Sequence, residues 1–148
     1  MIFNIFVGFV IPWIFGIFLY LRSPSIFLVT YPFGCVVSYL INTIGIIFGF
    51  WSIIPHSLNC IAFIPINLGI FPITGTYFVF FINKKTYNHI FLITSFSMFS
   101  TSLECVVIAL KRAVYGSGWN LFYTFISYLF AYILGYLFYN LVKRKGIL

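Results

Sequence analysis

A single carboxylate side chain is present in this sequence, and it lies within apolar sequence. Glu104 is the only acidic residue beside eight Lys and Arg residues. Catalysis normally pairs an acid with a base or a nucleophile with a base, and a metal site needs several ligands. Carboxylate pairs and aspartate-containing triads are therefore excluded. We expect no catalytic residue in this chain and no enzyme activity.

The histidines and cysteines do not add a recognisable site. His56 and His89 are far apart and fit no HExxH pattern, while Cys35, Cys60 and Cys105 form no CxxC pair. Zinc sites and disulfide frameworks require closer and more regular spacing than this. We interpret the cysteines as small packed hydrophobic residues. The sequence predicts neither a metal site nor a cofactor.

The composition points to a lipid environment. Hydrophobic residues make up 63% of the chain and charged residues 6%, whereas a soluble domain carries about 25% charged residues. So few charged side chains cannot cover the surface of a water-soluble core. The net charge of +7 comes from basic residues that stand in ones, twos and threes between apolar runs. Such a distribution does not predict a nucleic-acid surface, so we expect the lipid bilayer as the main partner and no nucleic acid.

The breaks between apolar runs predict five transmembrane helices. The hydrocarbon core of a bilayer is about 30 Å thick and needs about 20 apolar residues per helix. We predict one all-α domain over residues 1–148, an integral membrane bundle with spans near 2–21, 32–54, 58–82, 89–110 and 119–142. The third span contains Pro65 and Pro72, each of which removes a backbone hydrogen bond. We expect this helix to be kinked or interrupted there, as membrane helices tolerate when neighbours satisfy the freed carbonyls.

The basic residues predict the orientation. Loops on the cytoplasmic side carry an excess of Lys and Arg. With the N-terminus outside, the outer loops hold two basic residues and the inner side holds six: Arg22, Lys84, Lys85, Lys143, Arg144 and Lys145. We therefore predict a multi-pass protein of the plasma membrane, with the N-terminus outside and the C-terminus in the cytoplasm.

Small residues at helical spacing mark faces that can pack closely. Hydrophobicity does not select helix partners inside lipid, whereas small residues do, because they allow backbones to approach. Gly45 and Gly49 form a GxxxG pair, and Ser127, Ala131 and Gly135 share one face of the last helix. These faces would pack inside the bundle, or they would bind a second copy or another membrane protein. The sequence leaves both possibilities open.

The strongest candidate for an intramembrane polar site is centred on Glu104. An ionised acid within the bilayer costs at least a few kcal/mol. We therefore expect Glu104 to face inward and either stay protonated or accept hydrogen bonds from neighbouring helices. Lys111 is about 10 Å of helical rise away, which is too far for a direct salt bridge. The candidate polar site consists of Glu104, Ser97, Thr101, Asn42 and Asn67.

Two functions fit these observations. The absence of reactive constellations in the sequence and the small-residue faces favour a structural or accessory membrane protein. The alternative is a proton-linked or small-solute transporter, or a channel component, in which Glu104 handles the proton and the other candidate residues line the path.

Several short motifs in the second half of the chain resemble an uncharacterised family of small multi-span membrane proteins of spore-forming bacteria. They are Ser102-Leu103-Glu104, Trp119 and Tyr123-Thr124-Phe125, preceded by Phe71-Pro72, Tyr77, Phe80 and Ile82-Asn83. The resemblance covers about the last 80 residues and implies a bacterial multi-span membrane protein without an assigned activity. This chain lacks the family's further acids near the glutamate and the Tyr-Pro segment of its middle loop.

Overall fold

The fold is all-α, as predicted, and about 79% of the chain is helical. The computed structural model describes residues 1–58, 60–85 and 87–148. The helices are α1 (Ile2–Arg22), α2 (Pro24–Ile47), α3 (Cys60–Asn67), α4 (Ile70–Asn83), α5 (His89–Ala109) and α6 (Leu121–Arg144). Helices α3 and α4 follow one another as a single interrupted rod, so five helical stretches are long and apolar enough to cross a membrane. Residue 59, inside the expected third span, lies outside the described residues.

Helix α2 differs from the predicted second span at both ends. It begins at Pro24, eight residues before the expected start, and Pro32 lies in its interior. Proline fits the first helical position, where its missing N–H has no partner within the helix. The helix ends at Ile47, because Gly49 turns the backbone with φ +67° and residues Trp51–Ile53 then form a strand. An apolar run does not by itself distinguish helix from strand.

The third span is interrupted, as predicted, but the break lies between the two prolines. Pro65 is inside α3 and Pro72 is in the first turn of α4, so Leu68 and Gly69 form the junction. Because Pro72 has no N–H, the Leu68 carbonyl has lost its partner four residues along the helix. That carbonyl instead accepts hydrogen bonds from Trp13 Nε1 at 3.0 Å and Tyr31 Oη at 2.8 Å. Side chains of α1 and α2 thus stabilise the interruption.

Glycines allow the interrupted helix to pack closely against its neighbours. A β-carbon on Gly69 would overlap the carbonyl oxygen of Gly8 on α1. A β-carbon on Gly34 of α2 would lie 2.9 Å from the Cα of Pro72. Helix α1 contains a π-helical turn over Phe6–Val10, which includes Gly8. The third span is the most buried of the five and forms the centre of the bundle.

Two loops pair at one end of the bundle and form a short antiparallel ribbon. Strand β1 (Trp51–Ile53) pairs with β2 (Ala113–Tyr115), and Trp51 lies opposite Tyr115. The backbone N–H of Ile54 donates to the carbonyl of Arg112 at 2.9 Å, and that of Gly116 donates to the carbonyl of Phe50 at 2.9 Å. The ribbon contacts the N-terminal end of the chain, since Asn4 Nδ2 donates to the Ile54 carbonyl at 3.1 Å.

The opposite end of the bundle contains the larger cluster of buried apolar side chains and most of the basic residues. The main cluster of buried apolar side chains includes Leu19, Phe27, Phe78, Phe80 and Tyr139. The Lys84 ammonium group lies 4.6 Å from the centre of the Phe80 ring. The two termini are at opposite ends, as an odd number of spans requires. The end with the larger apolar cluster therefore carries Arg22, Lys84, Lys85, Lys143, Arg144 and Lys145.

Candidate functional site

Three hydroxyl groups donate to the Glu104 carboxyl group. Its Oε1 accepts from Tyr115 Oη at 2.9 Å and from Thr124 Oγ1 at 3.3 Å. Its Oε2 accepts from Tyr128 Oη at 2.7 Å. Hydrogen bonds of this kind to a charged acceptor are about twice as strong as those between neutral groups. Glu104 thus faces inward and is hydrogen-bonded to a neighbouring helix, as expected.

The network accommodates the carboxyl group in either protonation state. Tyr115 Oη and Thr124 Oγ1 are 2.7 Å apart, and either can be the donor. Trp119 Nε1, which can only donate, donates to Thr124 Oγ1 at 2.9 Å. When Glu104 is ionised, Tyr115 and Tyr128 donate to it. When Glu104 is protonated, its own O–H can donate to Tyr115 Oη, and the Tyr115 proton turns to Thr124.

Local structure on α6 explains how two of the donors reach Glu104. Asn120 caps this helix, because its Oδ1 accepts from the backbone N–H groups of Phe122 at 3.0 Å and Tyr123 at 3.2 Å. Thr124 and Tyr128 are four residues apart, so their side chains lie on the same face of the helix. Helix α5 packs along this face and places Glu104 beside both of them.

The third donor comes from the ribbon. Tyr115 ends β2, and its phenol reaches back to Glu104, five residues before the end of α5. Burial raises the pKa of the Tyr115 phenol well above its usual range, and the negative charge of Glu104 adds to this effect. The phenol therefore keeps its proton at neutral pH and stays available as a donor.

The Glu104 network forms part of the wall of a cavity of about 190 Å³ between the helices. Every helix contributes to the lining, and the ribbon closes one end through Trp51, Ile53 and Ala113. Most of the lining is apolar. Among the described lining residues none is a Lys, Arg or His, and Glu104 is the only one with a carboxyl group.

A second polar cluster joins α2 to the interrupted helix. Asn42 Nδ2 donates to Asn67 Oδ1 at 2.6 Å, and Ser38 Oγ donates to the Asn67 carbonyl at 3.1 Å. All three residues are buried. Asn42 and Ser38 line the same cavity as Glu104. Asn67 is not part of the described lining and accepts hydrogen bonds from both of them. The predicted residues Asn42 and Asn67 thus meet each other directly, but neither bonds to Glu104.

The predicted residues Ser97 and Thr101 are directed elsewhere. Ser97 Oγ donates to the Ile93 carbonyl at 2.8 Å, and Thr101 Oγ1 donates to the Ser97 carbonyl at 2.8 Å. Both hydroxyls thus bond to the backbone of their own helix, a common choice for Ser and Thr within helices. Neither residue belongs to the described lining of the cavity.

The two small-residue faces have neighbours within the chain. The Trp51 ring occupies the space beside Gly45, where a β-carbon would overlap it, and Gly49 lies beyond the end of α2. Ser127, Ala131 and Gly135 line the cavity, and a β-carbon on Gly135 would lie 3.6 Å from the Phe78 ring. Partner binding through either face stays a prediction.

The donors of the Glu104 network are not among the site residues predicted from the sequence. Thr124 and Tyr128 carry a usable signal, because their spacing places two hydroxyls on the face that holds Ser127 and Ala131. Tyr115 carries none, since only the pairing of two distant loops brings it to Glu104. Glu104, Trp119 and Thr124, on which the family resemblance was stated, meet in this one network.

Within the described residues, no group of three His, Cys, Asp or Glu side chains could hold a metal ion. Comparison of the chain with protein-family models, with curated proteins and with solved structures finds no match. The candidate site therefore has to be interpreted from its own geometry.

Proposed function

We propose that this chain is a multi-pass protein of a bacterial plasma membrane whose central cavity binds a small solute in proton-linked transport. Its N-terminus lies outside and its C-terminus in the cytoplasm. Glu104 is the residue that takes up and releases the proton. The observation that carries the proposal is a lone carboxyl group in a cavity wall, held by hydroxyls that can reverse their hydrogen bonds.

The outer surface of the bundle supports the membrane location. Large apolar side chains are exposed along helices α1, α2, α5 and α6, including Ile14, Leu28, Ile90 and Phe122, each more than 60% exposed. Soluble monomers rarely expose contiguous apolar surface on this scale. In lipid the same side chains face hydrocarbon, and the helices satisfy their own backbone groups.

A proton cycle through Glu104 needs no other acid. Intramembrane carboxyl groups serve as proton-binding sites in many transporters. Here the Glu104 carboxylate accepts a proton and the Tyr115 and Thr124 hydroxyls rotate, so that both states stay hydrogen-bonded. A change between the ionised and the protonated form of Glu104 would alter the hydrogen bonds that hold the ribbon to α5 and α6.

Proton flux in sealed vesicles tests the proposal. The purified full chain is reconstituted into vesicles that contain a pH-sensitive dye, and flux is measured under an imposed membrane potential. We expect proton flux from the unaltered chain. Glu104→Gln should reduce this flux by about tenfold or more, because the amide cannot exchange a proton. Ser102→Ala is the matched control, since Ser102 is exposed on the same helix and should leave flux unchanged. Equal flux from Glu104→Gln would contradict the proposal.

A structural or accessory role is the second candidate. It is favoured by the way Glu104 joins α5, α6 and the ribbon through three hydrogen bonds. In that role the network fixes the register of the helices and the carboxyl group never exchanges its proton. Glu104→Gln would then preserve most of the hydrogen bonds, and the reconstituted chain would show no flux with or without the substitution.

A further inference from the structure

We propose that the cavity beside Glu104 binds a small organic cation of the quaternary ammonium type, with the carboxylate as its counter-charge. This assignment deepens the proposed transport function, on which it rests, by naming the chemical class of the solute. It follows from the charge of the cavity, from the nature of its walls and from its size.

The charge of the cavity lining favours a cation. The three groups that donate to Glu104 are neutral hydroxyls, and the described lining contains no basic side chain. Arg112, on the nearby loop, lies instead over the Phe3 ring at 4.8 Å from its centre. A carboxylate in an apolar interior is costly unless a positive charge accompanies it. A bound monocation would supply the charge that the described lining lacks.

The hydroxyl groups of the described lining already have hydrogen-bond partners. Thr30 Oγ1 donates to the Ile26 carbonyl at 2.8 Å, and Thr74 Oγ1 donates to the Ile70 carbonyl at 2.8 Å. Ser100 Oγ and Tyr132 Oη bond to each other at 2.7 Å. A sugar or another solute with many hydroxyls would find few free partners here, whereas a compact apolar cation needs only the carboxylate and apolar walls.

The aromatic walls of the cavity favour an organic cation over an inorganic one. The Phe71 ring lies 6.0 Å from that of Tyr128, and the Phe78 ring lies 5.0 Å from that of Tyr132. All four residues line the cavity, and Tyr128 also donates to Glu104. Aromatic rings attract organic cations through their negative faces, most strongly where water is excluded. An inorganic ion would lose its water shell without receiving a set of oxygen ligands in return.

The size of the cavity limits the ligand. Its volume of about 190 Å³ is smaller than the ~300–1,000 Å³ of pockets that hold drug-sized molecules. Tetraethylammonium is therefore a suitable probe, because it is compact and permanently charged, and because its surface is entirely apolar.

The test measures binding of radiolabelled tetraethylammonium to the purified full chain in detergent by equilibrium dialysis. We expect one saturable site, no displacement by an equal concentration of sodium chloride, and weaker binding at acid pH, where a proton occupies the carboxylate. Glu104→Gln should weaken binding by about tenfold or more, while Ser102→Ala should leave it unchanged. Ala131→Leu fills the cavity without touching the carboxyl network and should also abolish binding. Thermal unfolding shows whether the Ala131→Leu variant folds. This variant therefore tests binding in the cavity even if Glu104→Gln fails to fold.

Several results would overturn the assignment. The probe would show no saturable binding, or sodium would compete with it equally. Alternatively, neither Glu104→Gln nor Ala131→Leu would change the binding of the probe, or a copurifying phospholipid would occupy the cavity and exclude the probe. Proton flux that depends on Glu104 without tetraethylammonium binding would refute the ligand and leave the proposed function standing. Tetraethylammonium binding without any proton flux would refute the proton linkage and leave the ligand assignment standing.

Discussion

At the scale of single residues, the structure explains how a lone acid is held inside an apolar bundle. Glu104 has no basic partner among the described residues near it and relies on the hydroxyls of Tyr115, Thr124 and Tyr128. The sequence alone indicates that this acid must face inward, because exposure to lipid costs at least a few kcal/mol. The sequence does not identify the donors, since a tyrosine in an apolar helix has the same kinds of sequence neighbours whether its side chain faces lipid or a carboxylate.

The hydrogen bond between Tyr128 and Glu104 predicts energetic coupling between the two side chains. In a double-mutant cycle of unfolding in detergent, Glu104→Gln and Tyr128→Phe should be coupled by about 1 kcal/mol. Tyr20→Phe is the control, because Tyr20 is exposed on α1, on the other side of the bundle. A coupling energy with Tyr128 no larger than with Tyr20 would mean that the contact at 2.7 Å is not formed.

At the scale of elements, hydropathy predicts how many helices there are, and distant contacts decide where they end. Five apolar runs are visible in the sequence because each is about the length that a bilayer needs. The end of α2 at Ile47 depends on pairing of residues Trp51–Ile53 with Ala113–Tyr115, more than 60 positions away. The break at Leu68–Gly69 likewise depends on Trp13 and Tyr31, which donate to the freed carbonyl of Leu68.

The junction between α3 and α4 predicts a sharp difference between two glycines. Gly69→Ala should lower the free energy of unfolding by about 3 kcal/mol, because the new methyl group would overlap the backbone of Gly8. Gly75→Ala, six residues further along, should leave it unchanged or raise it by up to about 1 kcal/mol, since nothing lies within 4 Å of the position a β-carbon would take and alanine is favoured over glycine inside a helix. Thermal unfolding of both variants in the same detergent compares them, and equal effects would show that α1 does not pack against the junction.

At the scale of the whole molecule, the two ends of the bundle differ in chemistry. One end carries the ribbon, Lys111 and Arg112, while the other carries six basic residues and the larger cluster of buried apolar side chains. The excess of basic residues predicts that the second end faces the cytoplasm. Glu104 then lies nearer to the outer face, because it is about 8 Å from the end of α5 that meets the ribbon.

Reporter fusions test this orientation. A phosphatase that is active only outside the cytoplasm should stay inactive when it is fused after Leu148, and become active when it is inserted at Gly118 in the outer loop. Both positions are exposed or near a chain end, so the insertions should leave the helices intact. An active C-terminal fusion would reverse the orientation and place Glu104 nearer to the cytoplasmic side.

The protonation of Glu104 in a membrane tests the central claim most directly. Glu104 is the only carboxylate side chain of the protein, so the infrared difference between the unaltered chain and Glu104→Gln, both reconstituted in lipid, isolates its carboxyl signal. We predict that this signal converts reversibly between carboxylate and carboxylic acid as the pH changes over the range in which the bundle stays folded. The hydroxyls of Tyr115 and Thr124 permit this change. A signal that stays in one form throughout that range would contradict the claim and leave Glu104 a structural residue.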